Sequence, residues 1–383
     1  MIYYGRQDID KDDVEAVREV LESDFLTQGP AIERFEKTVA SYCGAKYAVA
    51  VCNATAALHI ACRAAGLQQG DVLWTTPNTF VASANCGLYC GADVDFVDID
   101  EQTYNMSVQE LEKKLASSAK KPKVLVPVHF SGQPCDMEPI RRLAKEYGVT
   151  IIEDASHAIG AEYKGRRIGS CEYSDMTVFS FHPVKIITTG EGGMVLTNNL
   201  DLYEKLKLYR THGITREPNL MSRNDGPWYY EQIDLGYNYR VTDMQAALGC
   251  SQMKRLPEFL QRRRYLANRY SELLADLPLT LPYQKADTNS AWHLYVVRLR
   301  ENRTLSQKNR LFQEMKGQGI ALNMHYIPVH LQPHYQKMGF KRGDFPVSEA
   351  YYDEAFTLPL YYRLTDEDQV KVADALRLSL SKI

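Results

Sequence analysis

The sequence has no excess of positive charge, since 45 lysines and arginines stand against 48 aspartates and glutamates, for a net charge of −3. A protein that binds nucleic acid or an anionic lipid surface needs a basic field, so we expect neither partner. No apolar run is long enough to cross a bilayer, and no basic stretch followed by an apolar run opens the chain. The sequence therefore predicts a cytoplasmic protein with a small anionic partner, whose phosphate is bound by local groups.

Paired cysteines are also missing. The eight cysteines form no Cys-x-x-Cys pair and lie at positions 43, 52, 62, 86, 90, 135, 171 and 250. This spacing favours neither a zinc ribbon nor a disulfide framework, and we interpret the cysteines as reduced core residues. Cys86 and Cys90 would share a helical face without a second pair nearby, and two prolines interrupt the segment that carries His325, His330 and His334. We therefore predict no metal site.

The common nucleotide-binding signatures form the third absence. The chain contains neither G-x-G-x-x-G nor the Walker A pattern G-x-x-x-x-G-K-[ST]. Both patterns place glycines so that backbone N–H groups can approach a pyrophosphate or triphosphate. Their absence disfavours a nicotinamide-dependent dehydrogenase.

Short apolar runs alternate with helical patterns from Lys46 to about Thr197. The runs are YAVAV, DVLWT, VDFVDI, KVLVPV, VTIIED, MTVFSF and GMVLT. Such alternation predicts the α/β class, with a mainly parallel sheet covered by helices. Near residue 250 the pattern changes to a long charged helix, a strand-like run (WHLYVVRLR) and further helical segments. We expect a large domain over residues 1–250 and a smaller α+β domain over residues 251–383.

The most informative stretch is SFHPVKIITTGEGG, which places Lys185 between two strand-like runs and before a glycine-rich turn. A lysine there can present its amine at the end of the sheet, where α/β proteins bind ligands. Burial beside other positive groups lowers the pKa of a lysine, so that a neutral amine can react with an aldehyde. A lone lysine in a loop is more often a solvated charge, so this role needs support from neighbouring motifs.

An acid follows another of these runs. The apolar run VTII ends in Glu153 and Asp154, at the expected carboxyl end of a strand. A buried carboxylate at Asp154 can keep a proton on a pyridine nitrogen, because it stabilises the positively charged ring. The alternative role is an N-cap of the next helix. Glu153 alternates with Asp154 and should face away, so we assign it no catalytic role.

Two further strand-to-helix turns carry small or flat side chains. In VCNATAALH, Ala54 leaves room for a phosphate at a helix N-terminus, and Thr55 can add a hydroxyl or simply cap the helix. In TTPNTF, Phe80 can stack on a flat ring, although such a residue is often core. Four turns at one sheet edge then offer a phosphate cradle, a ring platform, an acid and an amine. Together they predict a pyridoxal 5′-phosphate site.

The order of these motifs resembles the DegT/DnrJ/EryC1/StrS family of sugar aminotransferases. The resemblance covers essentially the whole chain and rests on CNATAALH, TTPNTFVASAN, EDASHAIGA, SFHPVKIITTGEGG, GYNYRVTDMQAALG and HYIPVHLQPHY. It implies the aspartate aminotransferase fold (fold type I), with a mostly parallel central sheet and a smaller α+β C-terminal domain. The FHPVK, NAT and PWYYEQIDLGYNYR segments are most similar to members that act in pseudaminic acid biosynthesis.

The resemblance also implies a role for each matching residue. Lys185 would bind pyridoxal 5′-phosphate as a Schiff base, and Asp154 would pair with the ring nitrogen. The other cofactor contacts would come from Ala54, Thr55, Phe80, His157, Ser180 and Asn238. Asn238 would reach the cofactor phosphate of the neighbouring subunit, which implies a homodimer with shared active sites. The chain departs from most members by having His157 in place of glutamine, and from many by having Asn-Ala-Thr at residues 53–55 in place of Ser-Gly-Thr.

The reaction implied by the resemblance is an amino transfer. L-glutamate would donate an amino group to the C4 ketone of a nucleotide-linked 4-keto-6-deoxy sugar, a UDP-linked N-acetyl hexosulose of the pseudaminic acid pathway. Substrate contacts are expected from Tyr4, Thr27, Gln28, Arg210, His212, Tyr230, His325 and Tyr326. The alternatives are another UDP- or dTDP-linked sugar, a sugar dehydratase, or a regulator that binds the cofactor without chemistry. Lys185 disfavours the dehydratase, because those members carry histidine in its place.

Overall fold

The computed structural model describes residues 1–300 and 304–382, which form twelve α-helices and fifteen strands. The helices are α1 (Lys11–Leu21), α2 (Pro30–Cys43), α3 (Ala54–Ala64), α4 (Ala82–Tyr89), α5 (Val108–Ser117), α6 (Met137–Tyr147), α7 (Leu200–Arg210), α8 (Asp243–Leu273), α9 (Leu305–Gly317), α10 (Pro333–Gln336), α11 (Pro346–Glu354) and α12 (Asp366–Leu380). The strands are β1 (Tyr47–Val51), β2 (Val72–Thr75), β3 (Asp93–Phe96), β4 (Val124–Val126), β5 (Thr150–Asp154), β6 (Glu162–Tyr163), β7 (Arg166–Arg167), β8 (Met176–Ser180), β9 (Gly193–Thr197), β10 (Ile214–Thr215), β11 (Glu231–Gln232), β12 (Leu279–Thr280), β13 (Thr288–Asn289), β14 (Tyr295–Leu299) and β15 (Ala355–Leu358).

A seven-stranded sheet with the order β1-β9-β8-β5-β4-β2-β3 forms the centre of the molecule. Its strands are the seven apolar runs of the sequence. Five neighbouring strands (β8, β5, β4, β2 and β3) run parallel, while β9 is antiparallel to both β8 and β1. The prediction of an α/β fold with a mostly parallel sheet is therefore confirmed.

Helices cover both faces of this sheet and bury a separate core on each face. Successive residues of one strand point to opposite cores, as Ile151 and Ile152 do on β5. One core contains side chains of α2, α5, α6 and α8, and the other contains side chains of α3, α4 and α7. Because both faces are covered, the inner strands are continuous apolar runs, whereas the edge strand β3 alternates aspartate with apolar residues.

The C-terminal part packs helices on an antiparallel sheet of order β12-β14-β15. Its core joins α9 and α12 with the second half of α8. The first half of α8 contributes Leu256 and Phe259 to the core of the large sheet, whereas the second half contributes Leu266 and Tyr270 to the smaller core. The predicted division at residue 250 thus lies inside a helix that both parts share, and it stays a prediction.

Candidate active site

A cavity of about 530 Å³ opens at the carboxyl ends of β1, β2, β5 and β8. These four strands run in the same direction, so the turns that follow them meet at one edge of the sheet. Ten of the predicted site residues line the cavity: Tyr4, Ala54, Thr55, Phe80, Asp154, His157, Ser180, Lys185, His325 and Tyr326. The sequence motifs are therefore brought together in space, and the role of each residue stays a prediction.

Lys185 lies in the turn between β8 and β9, where its backbone N–H donates a 2.9 Å hydrogen bond to the backbone carbonyl of His182. Burial lowers the pKa of its amine to about 8, because the cost of removing the charge from water exceeds the attraction of Asp154. Gly193 at the start of β9 passes close to the turn after β1, and a Cβ atom there would lie 2.5 Å from the backbone of Asn53. The glycine-rich turn therefore allows the lysine turn and the turn after β1 to pack together.

Asp154 ends β5, and three hydrogen bonds hold its carboxylate. One oxygen accepts bonds of 2.6 Å from the Ser156 hydroxyl and 3.1 Å from the Ser156 N–H. The other accepts a 2.6 Å bond from the hydroxyl of Ser83 on α4, which itself lies 2.7 Å from the Thr79 hydroxyl. The next element along the chain is β6, so Asp154 is not a helix N-cap.

The serines that hold Asp154 were missed at the sequence level. Ser83 lies in the quoted TTPNTFVASAN segment, and Ser156 stands two residues after the acid. The Ser156 contact has a sequence signal, since an Asp side chain often accepts from the backbone two residues later. The Ser83 contact spans 71 residues and depends on how α4 packs, which no local pattern predicts.

The turn after β1 leads into α3, whose N-cap is Asn53. The Asn53 side chain accepts a 2.8 Å hydrogen bond from the N–H of Ala56. Thr55 is therefore not the cap, and it lines the cavity. Ala54 and Thr55 occupy the first turn of α3, where backbone N–H groups attract an anion.

Glu153 faces away from the cavity, as the alternation along β5 predicts. Its carboxylate lies 2.6 Å from Nε2 of His129 and also accepts hydrogen bonds from Ser174 and Thr177. The two neighbouring acids thus belong to opposite sides of the sheet.

Buried histidines form another part of the cavity wall. The ring of His293 lies 4.4 Å from the ring of His157, and its Nδ1 has no hydrogen-bond partner among the described residues. His325 bonds Thr357 at 2.8 Å, and burial together with the charge of Lys185 lowers its pKa to about 3. His293 was not predicted, because it comes from the strand-like run of the C-terminal part.

Six predicted site residues lie outside this cavity. Gln28 and Arg210 line a second cavity of about 260 Å³, where Arg210 pairs with Glu36 at 2.6 Å. Thr27 and Asn238 are exposed. Their backbones form isolated antiparallel β-bridges, Thr27 with Thr242 and Asn238 with Thr211. His212 and Tyr230 are also exposed. A single chain therefore does not bring these six side chains to Lys185.

Within residues 1–300 and 304–382, no group of three His, Cys, Asp or Glu side chains could hold a metal ion. In the segment that carries His325, His330 and His334, His330 bonds Glu349 at 2.9 Å inside the protein. Over the same residues, no helix is both long and apolar enough to span a membrane.

Comparison with known sequences places the chain among sugar aminotransferases. The model of the DegT/DnrJ/EryC1/StrS aminotransferase family matches residues 7–377. The chain is 40% identical over 372 residues to the spore coat polysaccharide biosynthesis protein SpsC of Bacillus subtilis, covering 96% of this chain and 94% of that protein. It is 36% identical to the UDP-4-amino-4,6-dideoxy-N-acetyl-beta-L-altrosamine transaminase of Campylobacter jejuni, covering 100% of this chain and 98% of that enzyme.

Solved structures agree with this placement. PseC of Helicobacter pylori, an aminotransferase of pseudaminic acid biosynthesis, matches with a TM-score of 0.92, 31% identity and full coverage of both chains. The sugar aminotransferase Spr1654 of Streptococcus pneumoniae, in its PMP form, also matches with a TM-score of 0.92, at 29% identity and with 99% of both chains covered. A PLP form of Spr1654 matches as well.

Proposed function

The chain belongs to the DegT/DnrJ/EryC1/StrS family and is a pyridoxal-phosphate-dependent sugar aminotransferase, and we propose that it aminates the C4 ketone of a UDP-linked 4-keto-6-deoxy N-acetyl hexosulose with L-glutamate as donor. The observation that carries this proposal is that one cavity is lined by Lys185, Asp154 and the N-terminal residues of α3. Each of these groups suits a different part of the cofactor.

The residues present fit pyridoxal 5′-phosphate. A phosphate can be bound by the N–H groups at the start of α3, next to the small side chain of Ala54, and by the hydroxyls of Thr55 and Ser180. Phe80 offers an aromatic face to the ring. When bound, the cofactor supplies an electron sink that stabilises negative charge on the carbon losing its proton. The protein supplies binding, orientation and proton transfer.

Lys185 is proposed as the proton carrier. An amine with a pKa near 8 is partly neutral at neutral pH, so it can take up a proton from the donor's α-carbon and return one during the reverse step. Asp154 is proposed to hold the proton on the ring nitrogen. Its hydrogen bonds from Ser83 and Ser156 keep the carboxylate in place.

The choice of sugar rests on the relatives. The Campylobacter and Helicobacter proteins support a substrate of the pseudaminic acid pathway. SpsC is named for spore coat polysaccharide biosynthesis, so the alternative of another UDP- or dTDP-linked 4-keto-6-deoxy sugar stays open. Exposed Asn238 and the residues outside the main cavity are proposed to act across a homodimer, with Asn238 reaching the neighbouring subunit's cofactor.

The test is a substrate panel. The purified holoenzyme would be incubated with L-glutamate and each of several UDP- and dTDP-linked 4-keto-6-deoxy sugars, and the product masses and 2-oxoglutarate would be measured. We expect the UDP-linked N-acetyl substrate to be aminated fastest, with a Lys185→Ala variant as the inactive control. Amination of a dTDP sugar alone would establish the alternative, and amination of none would contradict the proposal.

A further inference from the structure

Two aromatic side chains of the cavity wall are joined by a hydrogen bond. Nε2 of His157 lies 3.1 Å from the hydroxyl of Tyr326, a residue 169 positions further along the chain. The other ring nitrogen, Nδ1, accepts a 3.2 Å bond from the backbone N–H of Ser131. Ser131 is itself fixed, because its hydroxyl donates to the carbonyl of Leu294 at 2.7 Å and its carbonyl accepts from the N–H of His293 at 2.9 Å.

These contacts determine the direction of the His157–Tyr326 bond. Burial and the positive charge of Lys185 hold the pKa of His157 well below its usual value, so the ring is neutral and carries one proton. Since Nδ1 accepts the Ser131 N–H, that proton is on Nε2. His157 therefore donates to the oxygen of Tyr326.

The hydroxyl hydrogen of Tyr326 is consequently directed away from His157. Burial and the nearby charge of Asp154 raise the pKa of Tyr326, so the phenol keeps its hydrogen. Among the described residues, the only hydrogen-bond partner of this hydroxyl is His157, which leaves its own hydrogen without a protein acceptor. Tyr326 lines the same cavity as Lys185. Tyr326 is half-buried in the cavity wall, so this hydrogen is directed to where a bound ligand can supply an acceptor.

We propose that Tyr326 donates a hydrogen bond to an oxygen atom of the molecule bound beside Lys185, and that His157 is the residue that positions it. This inference rests on the proposed function and extends it. The acceptor has two sources, the phenolic oxygen of the cofactor or the oxygen at C4 of the sugar. The phenolic oxygen carries negative charge when ionised and the ketone oxygen carries partial negative charge, so both can accept a hydrogen bond.

The first test is Tyr326→Phe, which removes the hydroxyl and keeps the ring. If the acceptor is the cofactor oxygen, the pH midpoint of the visible absorbance of the holoenzyme rises by about one to two units, because an oxygen without its donor holds a shared proton more tightly. If the acceptor is the sugar oxygen, the midpoint is unchanged and the sugar half-reaction slows at least about tenfold, while the glutamate half-reaction keeps its rate. Tyr335→Phe is the matched control, since that buried hydroxyl donates to Asn85 at 2.7 Å outside the cavity.

The second test concerns the positioning role of His157. We expect His157→Leu to reproduce the change caused by Tyr326→Phe, and the double variant to show no additional change, because both remove one interaction. His157→Gln should restore part of the effect, since its side-chain amide can donate to the phenol.

Unchanged midpoints and half-reaction rates in Tyr326→Phe would overturn the proposal, as would additive effects in the double variant. The absorbance titration needs only protein and cofactor. A failed sugar panel would therefore count against the proposed substrate without affecting this result.

Discussion

The cavity wall and the segment over residues 211–235 differ in how their side chains are covered. The acid in the wall is hydrogen-bonded within the chain, as Asp154 is to Ser83 and Ser156. The segment instead exposes large apolar side chains, with Trp228 72% and Leu235 67% exposed. The comparison teaches that contacts within one chain fix the acid of the cavity wall, whereas the segment leaves apolar surface uncovered, as the proposed homodimer would require.

The segment is nevertheless ordered by its own polar contacts. Glu231 accepts hydrogen bonds from Ser222, Arg223 and Tyr229, and these donors lower its pKa to about 2. Gly213 and Gly236 allow its two ends to cross closely, since a Cβ on Gly236 would lie 2.1 Å from the Gly213 nitrogen. These contacts favour an ordered segment.

The largest expected effect is on the rate of transamination, when Lys185 in the cavity wall is replaced. Lys185→Ala should reduce transamination at least about 10⁴-fold, because it removes both the proposed covalent attachment and the proposed proton carrier. The rate of each half-reaction is measured by absorbance. Lys308→Met is the matched control, since the Lys308 pKa is also lowered to about 8 by burial, although this lysine lies outside the cavity. Equal losses in both variants would count against a special role of Lys185.

The next largest effect on the rate is expected from replacing Asp154, the acid of the cavity wall. Asp154→Asn should lower the rate about 10²- to 10³-fold while leaving the fold intact, because the amide cannot stabilise a positive ring nitrogen. Ser83→Ala should cost about tenfold, since it removes one bond to the carboxylate. Steady-state kinetics with circular dichroism as a folding control would measure both. An Asp154→Asn variant with normal activity would exclude the ring-nitrogen role.

A pH titration tests the same wall without substrate. The rate at which apoprotein forms the visible band with pyridoxal 5′-phosphate should rise about tenfold per pH unit up to pH 8 and level off above it, because only the neutral amine of Lys185 reacts. An ordinary lysine, with a pKa near 10.4, would give a rate still climbing at pH 9.5. Nα-acetyl-lysine under the same conditions corrects for the ionisation of the cofactor.

The smallest effect is expected on the segment. Trp228→Ala should change the free energy of unfolding of the isolated chain by no more than about 0.5 kcal/mol, because the side chain is mostly exposed. It should instead weaken self-association, measured by sedimentation at several concentrations. A large loss of stability with unchanged self-association would mean that the segment does not form part of a subunit interface.

Sequence periodicity predicted all seven strands of the main sheet, because strands buried on both faces are unmistakable apolar runs. The rule that parallel strands end at one edge then placed Asp154 and Lys185 together correctly. Contacts across long separations could not be predicted, since the bonds from Ser83 to Asp154 and from His157 to Tyr326 depend on packed helices and loops. The six residues outside the cavity show the same limit, because their proposed roles depend on contacts between two chains.

The most direct measurement is reduction of the purified yellow holoenzyme with borohydride, followed by peptide mass spectrometry. Reduction makes a cofactor–lysine bond permanent, so the label reports which amine was attached. We predict a phosphopyridoxyl label on the peptide that contains Lys185 and on no other lysine. A label on a different lysine, or a coloured protein without any label, would contradict the assignment of this residue.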